Sequence, residues 1–282
     1  MLLKELIKYG QDTLESAGIQ EAASDARLLA MHVFGFTYTD IFMKANDVVG
    51  LEDEKSYRNL INVRSSHYPC QYITGSQDFM GYSFRCSEGV LIPRPETELL
   101  VEEAVLLTQE YEQIKALDMC CGTGCIGISY YLKRVESGHN KDIVVLGDIS
   151  KDAIELSKEN MFNLGAKCDI VRTDLFENIE DSFDIIMSNP PYIKTSDIED
   201  IMVDVREYEP RLALDGMEDG LYFYKEIISR TDKFLRKDGI IIFEIGYNQY
   251  QDIRQLLLDK GFTDITVKKD YAGLDRIVIA RR

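Results

Sequence analysis

The segment Ser188-Asn189-Pro190-Pro191-Tyr192 combines residue types and an order suited to one kind of nitrogen chemistry. Two consecutive prolines have no N–H to donate and hold the backbone extended, so their carbonyls stand available as acceptors. An amide or aromatic amine nitrogen is a poor nucleophile, because its lone pair is delocalised into the π system, and geometry must compensate. Asn189 through its side-chain oxygen and Pro190 through its carbonyl could accept the two N–H bonds of such a group and aim the nitrogen at an electrophile. Pro191 would stiffen the cradle, and Tyr192 could stack on the planar group and exclude water. No strong general base is needed, since the nitrogen becomes acidic as it gains a substituent and fixed acceptors stabilise the developing positive charge. An Asn-Pro step also commonly opens a β-turn, so the segment gains meaning only from its surroundings.

A second segment, Asp118-Met119-Cys120-Cys121-Gly122-Thr123-Gly124, ends an apolar strand and opens a helix. Glycine there permits unusual dihedrals and close approach of a ligand to the free amides of the helix start. Such turns bind dinucleotides, phosphates or S-adenosylmethionine. About 20 residues downstream the next strand ends in Asp148, where a carboxylate can accept the two ribose hydroxyls of an adenosine without a 2′-phosphate. Asp118 would repel a pyrophosphate but suit the cationic amine of a methionine moiety, which favours S-adenosylmethionine. A third strand ends in Thr173-Asp174-Leu175-Phe176: Asp174 could accept from an adenine amino group with Leu175 against the ring, or else cap a helix. Cys120, Cys121 and Cys125 form one cluster without histidine, which reads as small filling around a turn rather than a metal site.

These segments need a scaffold that brings strand ends together. Ala116 to Cys120, Ile143 to Gly147, Asp169 to Arg172, Phe183 to Ser188 and Ile240 to Ile245 read as short buried strands separated by helical stretches, the pattern of a parallel sheet with ligands at the carboxyl ends of its strands. Thr263 to Lys268 and Arg276 to Ala280, after a helix Tyr250 to Asp259, are joined by a short turn at Gly273 and should pair antiparallel. This α/β pattern resembles the class I, Rossmann-like methyltransferase fold: seven strands with an antiparallel last strand. Residues 1–67 read as several short helices forming a small domain, 68–92 as a hairpin-bearing linker, and 93–282 as the catalytic domain. His32 and His67 lack partner clusters nearby and read as structural.

Composition narrows the partners. The 282-residue chain carries 49 acidic and 32 basic residues, a formal charge of -17 that disfavours a nucleic acid partner and suits a basic protein surface. No apolar run approaches the ~20 residues of a membrane span, and no signal peptide is apparent, so a cytoplasmic chain with reduced thiols and no membrane partner is expected. The absence of a long apolar surface helix argues for a monomer.

Further segments resemble the HemK/PrmC family of release factor glutamine methyltransferases: Pro69-Cys70-Gln71-Tyr72-Ile73-Thr74-Gly75, Leu91-Ile92-Pro93-Arg94-Pro95-Glu96-Thr97-Glu98, Glu209-Pro210-Arg211-Leu212-Ala213-Leu214 with Gly216 and Gly220, and Phe243-Glu244-Ile245-Gly246 followed by Gln249. The resemblance implies methylation of the glutamine in the Gly-Gly-Gln loop of peptide chain release factors, with the helical domain gripping the protein substrate. It also implies that Gly122, Gly124, Asp148, Leu175 and Asn189 contact the cofactor, that Asn189 to Tyr192 hold the glutamine, and that Arg94 to Glu98, including Glu96, lie at the pocket mouth. Family members carry glycine or other small residues where this chain has Cys120 and Cys121, and cysteine is small enough to keep the turn. Two rivals remain: a methyltransferase of nucleic-acid exocyclic amines such as that of adenine, which would need a basic groove, and a non-catalytic adaptor, which would not need Asp148 or the Asn189 motif.

Overall fold

Leu3, Leu6, Gly10 and Leu14 fall on one buried stripe of helix α1 (Leu3–Ser16), the spacing that lets an amphipathic helix close a core. Gly10 sits in that stripe because the Tyr57 hydroxyl occupies the room a Cβ would need while donating to the Ala26 carbonyl. The computed structural model describes residues 1–282. Helices α2 (Ala22–Phe34), α3 (Tyr38–Met43), α4 (Leu51–Arg64) and α5 (Cys70–Thr74) join α1 around a core that includes Leu29, Tyr57 and Cys70.

The chain divides into two compact units: Met1–Ser76 with Met202–Tyr208, and Gln77–Ile201 with Glu209–Arg282. The helical unit thus runs beyond the expected boundary at residue 67, because α5 buries Cys70 in the helical core. It also takes in a short helix, Val203–Tyr208, whose exposed, charged sequence gives no apolar signal of where it packs.

The expected linker contains a hairpin, β1 (Ser76–Phe79) and β2 (Tyr82–Arg85), turned by Met80 and Gly81, both at positive φ, as a tight two-residue connection requires. After helix α6 (Glu98–Thr108), the strands β3 (Lys115–Met119), β4 (Ile143–Asp148), β5 (Asp169–Arg172) and β6 (Phe183–Ser188) alternate with α7 (Cys125–Glu136) and α8 (Lys151–Leu164). Strands β7 (Leu235–Glu244), β8 (Thr263–Lys269) and β9 (Asp275–Arg281) complete a seven-stranded sheet in the order β5-β4-β3-β6-β7-β9-β8. The first five strands in chain order pair parallel, and β9 runs antiparallel between β7 and β8. Strand β7 begins five residues before the expected Ile240: its early part is Leu235 and the exposed, charged Arg236 to Asp238, which no apolar pattern would mark, and Asp238 is at φ 61. Apolar side chains cover both faces of the sheet in two separate cores, as a sheet flanked by helices demands. No helix is long and apolar enough to cross a membrane.

Candidate active site

The carboxyl ends of β3, β4, β5 and β6 open on one cavity of about 270 Å³. Cys120, Cys121, Gly122 and Thr123 from the first turn, Asp148, Asp174, Leu175, Asn189, Pro191 and Arg94 all line it. Asp118, Gly124, Pro190, Tyr192 and Glu96 do not line it.

The turn after β3 is built from backbone. Cys120, Gly122 and Gly124 all stand at positive φ, 63°, 55° and 79°. The Cys121 N–H reaches the Gly147 carbonyl at 3.1 Å, and the Gly124 N–H returns to Cys121 O at 2.8 Å. A Cβ on Gly124 would also lie 2.8 Å from Ile128 Cδ1 and 3.2 Å from Ser157 Cβ, so its neighbours would have to shift to admit one. Cys120 departs from the expectation that small size suffices, since the left-handed conformation strains any residue with a Cβ. Burial raises the thiols of Cys120, Cys121 and Cys125 above their ordinary value, so they stand as neutral thiols, and no cluster of three or more donor residues could hold a metal ion.

Asp118 differs most from expectation. It is 0 % exposed and turns beneath the cavity, where its Oδ2 accepts the Gly127 N–H of α7 at 2.8 Å and its Oδ1 has no partner. Burial pushes its carboxyl up to about 8, partly opposed by the Gly127 bond and assisted by the charge of Asp148. Gly127 lets α7 pack so closely on it that a Cβ there would lie 2.9 Å from Asp118 Cβ.

Asp148 sits where expected. Its Oδ2 accepts from Gly122 N at 2.9 Å and its Oδ1 from Ser150 N at 2.8 Å; burial raises its carboxyl while these bonds and one from Ile149 N–H act downward. A carboxylate has about four acceptor positions, so with three backbone N–H groups on it about one remains for a ribose hydroxyl. Asp174 is exposed on the cavity wall and begins no helix; the local turn is closed by Thr173, whose Oγ1 donates to Leu175 O and accepts from Asn178 N. Leu175 is buried at φ 48, which presses it against the cavity. An open backbone cradle, a carboxylate with a spare acceptor position and an apolar wall fit an adenosine-bearing cofactor such as S-adenosylmethionine.

Ser188 ties the two motifs together, donating from Oγ to the Met119 carbonyl at 2.6 Å. Beside it, Asn189 is half-buried on the cavity wall, and no protein donor reaches the Pro190 carbonyl. Tyr192 does not line the cavity: its hydroxyl points to Glu244 Oε1 at 3.5 Å, and its ring packs on the sheet core. Arg94 pairs with Glu209, which also accepts from Ile92 N–H, while Glu96 is exposed.

Four residues not singled out by chemistry hold this arrangement. Thr97 lies between Asn189 and Glu244. Asn160 of α8 accepts from Arg85 N and donates to the carbonyls of Arg85 and Thr123, docking β2 on the first turn. Gln249 accepts from Gly246 N and donates to Tyr192 O and Gly220 O. Thr97, Glu244 and Gln249 fall in segments that carry the family resemblance and Asn160 does not, but nothing in the sequence names their partners, which lie far along the chain.

The reversed strand β9, the glycine turn after β3 and the carboxylate after β4 together define a methyltransferase of the class I, Rossmann-like type. The solved ribosomal protein L11 methylase from Lactobacillus delbrueckii subsp. bulgaricus shares this fold, at 20% identity, a TM-score of 0.50 and coverage of 71% of this chain and 85% of that one. Residues 5–75 match the PrmC N-terminal domain and residues 95–206 the methyltransferase small domain. The release factor glutamine methyltransferase of Clostridium botulinum is 38% identical over all of both chains, and that of Clostridium acetobutylicum is 38% identical over all of this chain and 99% of its own. The chain belongs to the release factor glutamine methyltransferase family.

Proposed function

We propose that this protein methylates the side-chain amide nitrogen of the glutamine in the Gly-Gly-Gln motif of peptide chain release factors, with S-adenosylmethionine as donor, in the cytoplasm and as a monomer. The observation that carries the reading is the placement of Asn189 on the same cavity as the Gly122 turn and Asp148, so that an amide acceptor and a nucleoside site share one space. When bound, the cofactor supplies a methyl group on a positively charged sulfur.

The chain's own residues do the rest. Asp148 would hold the ribose, Leu175 and Asp174 would receive the adenine, and the Cys120–Thr123 turn, whose Gly122 N–H is already bonded to Asp148, would receive the methionine end. Asn189 Oδ1 on the cavity wall and the Pro190 carbonyl, which lies beside the lining rather than in it and takes no protein donor, accept the two N–H bonds of the glutamine and orient its lone pair. As the nitrogen becomes cationic these same acceptors stabilise it, and the proton then leaves to water. Arg94, fixed by Glu209, stands at the mouth. The helical unit presents exposed apolar side chains, Tyr38, Phe42, Met43, Val48 and Leu51, suited to a protein surface, and the charge of -17 suits a basic one.

The test is incubation with methyl-labelled S-adenosylmethionine and, separately, a release factor, its Gly-Gly-Gln-to-Gly-Gly-Ala variant, and duplex DNA. Label is expected only in the intact release factor. Label in DNA would transfer the site to exocyclic amines, and label in neither would overturn the proposed substrate.

A further inference from the structure

A hydrogen-bond chain behind Asn189 fixes which end of its amide faces the cavity. Glu244, the last residue of β7, is 2 % exposed; burial raises its carboxyl, while the Thr97 bond and the charges of Arg276 and Arg94 act downward, and both of its oxygens stand as acceptors of hydroxyl protons. The Thr97 hydroxyl spends its single proton on Glu244 Oε2 at 2.5 Å. A hydroxyl whose proton is committed offers only lone pairs to its other neighbours. The Asn189 group facing it, at 3.4 Å, is therefore the NH₂ end. The oxygen end is left for the cavity that Asn189 and Thr97 both line. The other Glu244 oxygen faces the Tyr192 hydroxyl, so the carboxylate is held from two sides and cannot turn away from Thr97 without losing a partner.

We propose that Thr97 and Glu244 are positioning residues that lock the Asn189 side chain with its oxygen toward the acceptor, making the site selective for groups that present N–H donors. A flipped Asn189 would direct its own N–H at the substrate N–H and its oxygen at the lone pairs of Thr97, two repulsive contacts in place of two bonds. The inference rests on the proposed amide acceptor, but the amide's orientation is a property of the free protein and can be read without substrate.

The experiment compares wild type, Thr97→Val and Thr97→Ser in two measurements. In the first, turnover with release factor and S-adenosylmethionine, Thr97→Val is expected to lower kcat by about ten- to a hundredfold, with cofactor Kd unchanged within about twofold, and Thr97→Ser to restore most of kcat. In the second, asparagine side chains are ¹⁵N-labelled in the free protein: the Asn189 NH₂ resonances should coincide in wild type and Thr97→Ser and shift in Thr97→Val. Unchanged kcat and unchanged resonances in Thr97→Val would overturn the proposal. So would a loss of cofactor affinity equal to the loss of kcat, which would make Thr97 a packing residue of the cofactor site. If wild type modifies no release factor, the substrate reading fails, and the resonances alone then decide the positioning role. Glu244→Gln, which keeps an acceptor for Thr97, should behave as Thr97→Ser does.

Discussion

At the scale of single residues, the site separates groups that face the cavity from groups that hold it up. Asn189 faces it, and Asn189→Ala should lower kcat by at least about 100-fold through loss of an acceptor that strengthens as charge develops; cofactor affinity by calorimetry should fall by less than about tenfold. Turnover near wild type would remove Asn189 from the mechanism. Asp118 lies outside the cavity lining, with one oxygen on the Gly127 N–H. A carboxylate before a glycine turn can reach toward a ligand or toward the next helix, and the close approach of α7 at Gly127 gives one of its oxygens to the helix. Because its folded value, about 8, lies above the ordinary 3.8, the native state binds a proton that the unfolded chain releases between these values. Its stabilising contribution is full below pH 3.8 and is lost as pH rises toward 8. Asp118→Asn cannot ionise. Urea denaturation of the cofactor-free protein should show the variant gaining on wild type steadily from pH 4 to pH 8; a pH-independent difference would rule out a buried neutral carboxyl.

At the scale of elements, the strand that carries the acceptor motif is gripped from behind by glycines and one glutamine. A Cβ on Gly216 would lie 2.8 Å from the Tyr192 backbone, and one on Gly220 would lie 2.5 Å from Tyr192 O, so the segment after Leu214 lies directly on the motif, bonded through Ile193 N to Leu214 O and Gly216 N to Ile193 O. Gly216→Ala must push Tyr192 and its neighbours outward. It should cost about 1–3 kcal/mol of stability and lower kcat with little change in cofactor affinity, since the Gly122 turn is separate; unchanged kcat in a folded variant would show that the grip does not position the motif. Most of the strands and the cavity-lining half of the site were legible because strand ends advertise themselves: apolar runs stop at Asp148, at Thr173 and at Asn189. What stayed hidden was contact between distant segments. Thr97 and Glu244 are 147 positions apart, and Cys120 shows a similar limit: composition reveals that it is small but not that its backbone must take φ 63.

At the scale of the whole chain, the path leaves the sheet unit after Ile201 and returns at Glu209, having lent a short helix to the helical unit. That loan is secured by charge. Arg64, almost fully buried, donates to Asp25 Oδ2 and to Asp204 Oδ2, both at 2.7 Å, and His67, which has no partner nearby in sequence, meets Asp204 Oδ1 at 3.3 Å. The Tyr208 hydroxyl adds a bond to Ser66 O at 3.0 Å. Burial pushes the Asp204 carboxyl upward, but the Arg64 bond and charge, with His67, outweigh it and hold the group below its ordinary value. A depressed carboxylate contributes stability that is present above the unfolded value of 3.8 and is lost as pH falls through the folded one. Asp204→Asn keeps the volume and one acceptor while removing the charge, so at pH 7 it should cost about 1–2 kcal/mol, discounted for the partial exposure of this side chain. The penalty should shrink as pH drops below 3.8, where wild type also becomes neutral. Because the segment that Asp204 anchors joins Tyr192 to the cavity wall at Pro210 and Leu212, the variant should raise KM for the protein substrate at pH 7 while leaving S-adenosylmethionine affinity unchanged. Thermal denaturation at pH 7 and pH 3, with KM measured at pH 7, decides it: equal stability at both pH values would mean that Arg64 is satisfied by Asp25 alone and that the borrowed helix is held by its aromatic and backbone contacts.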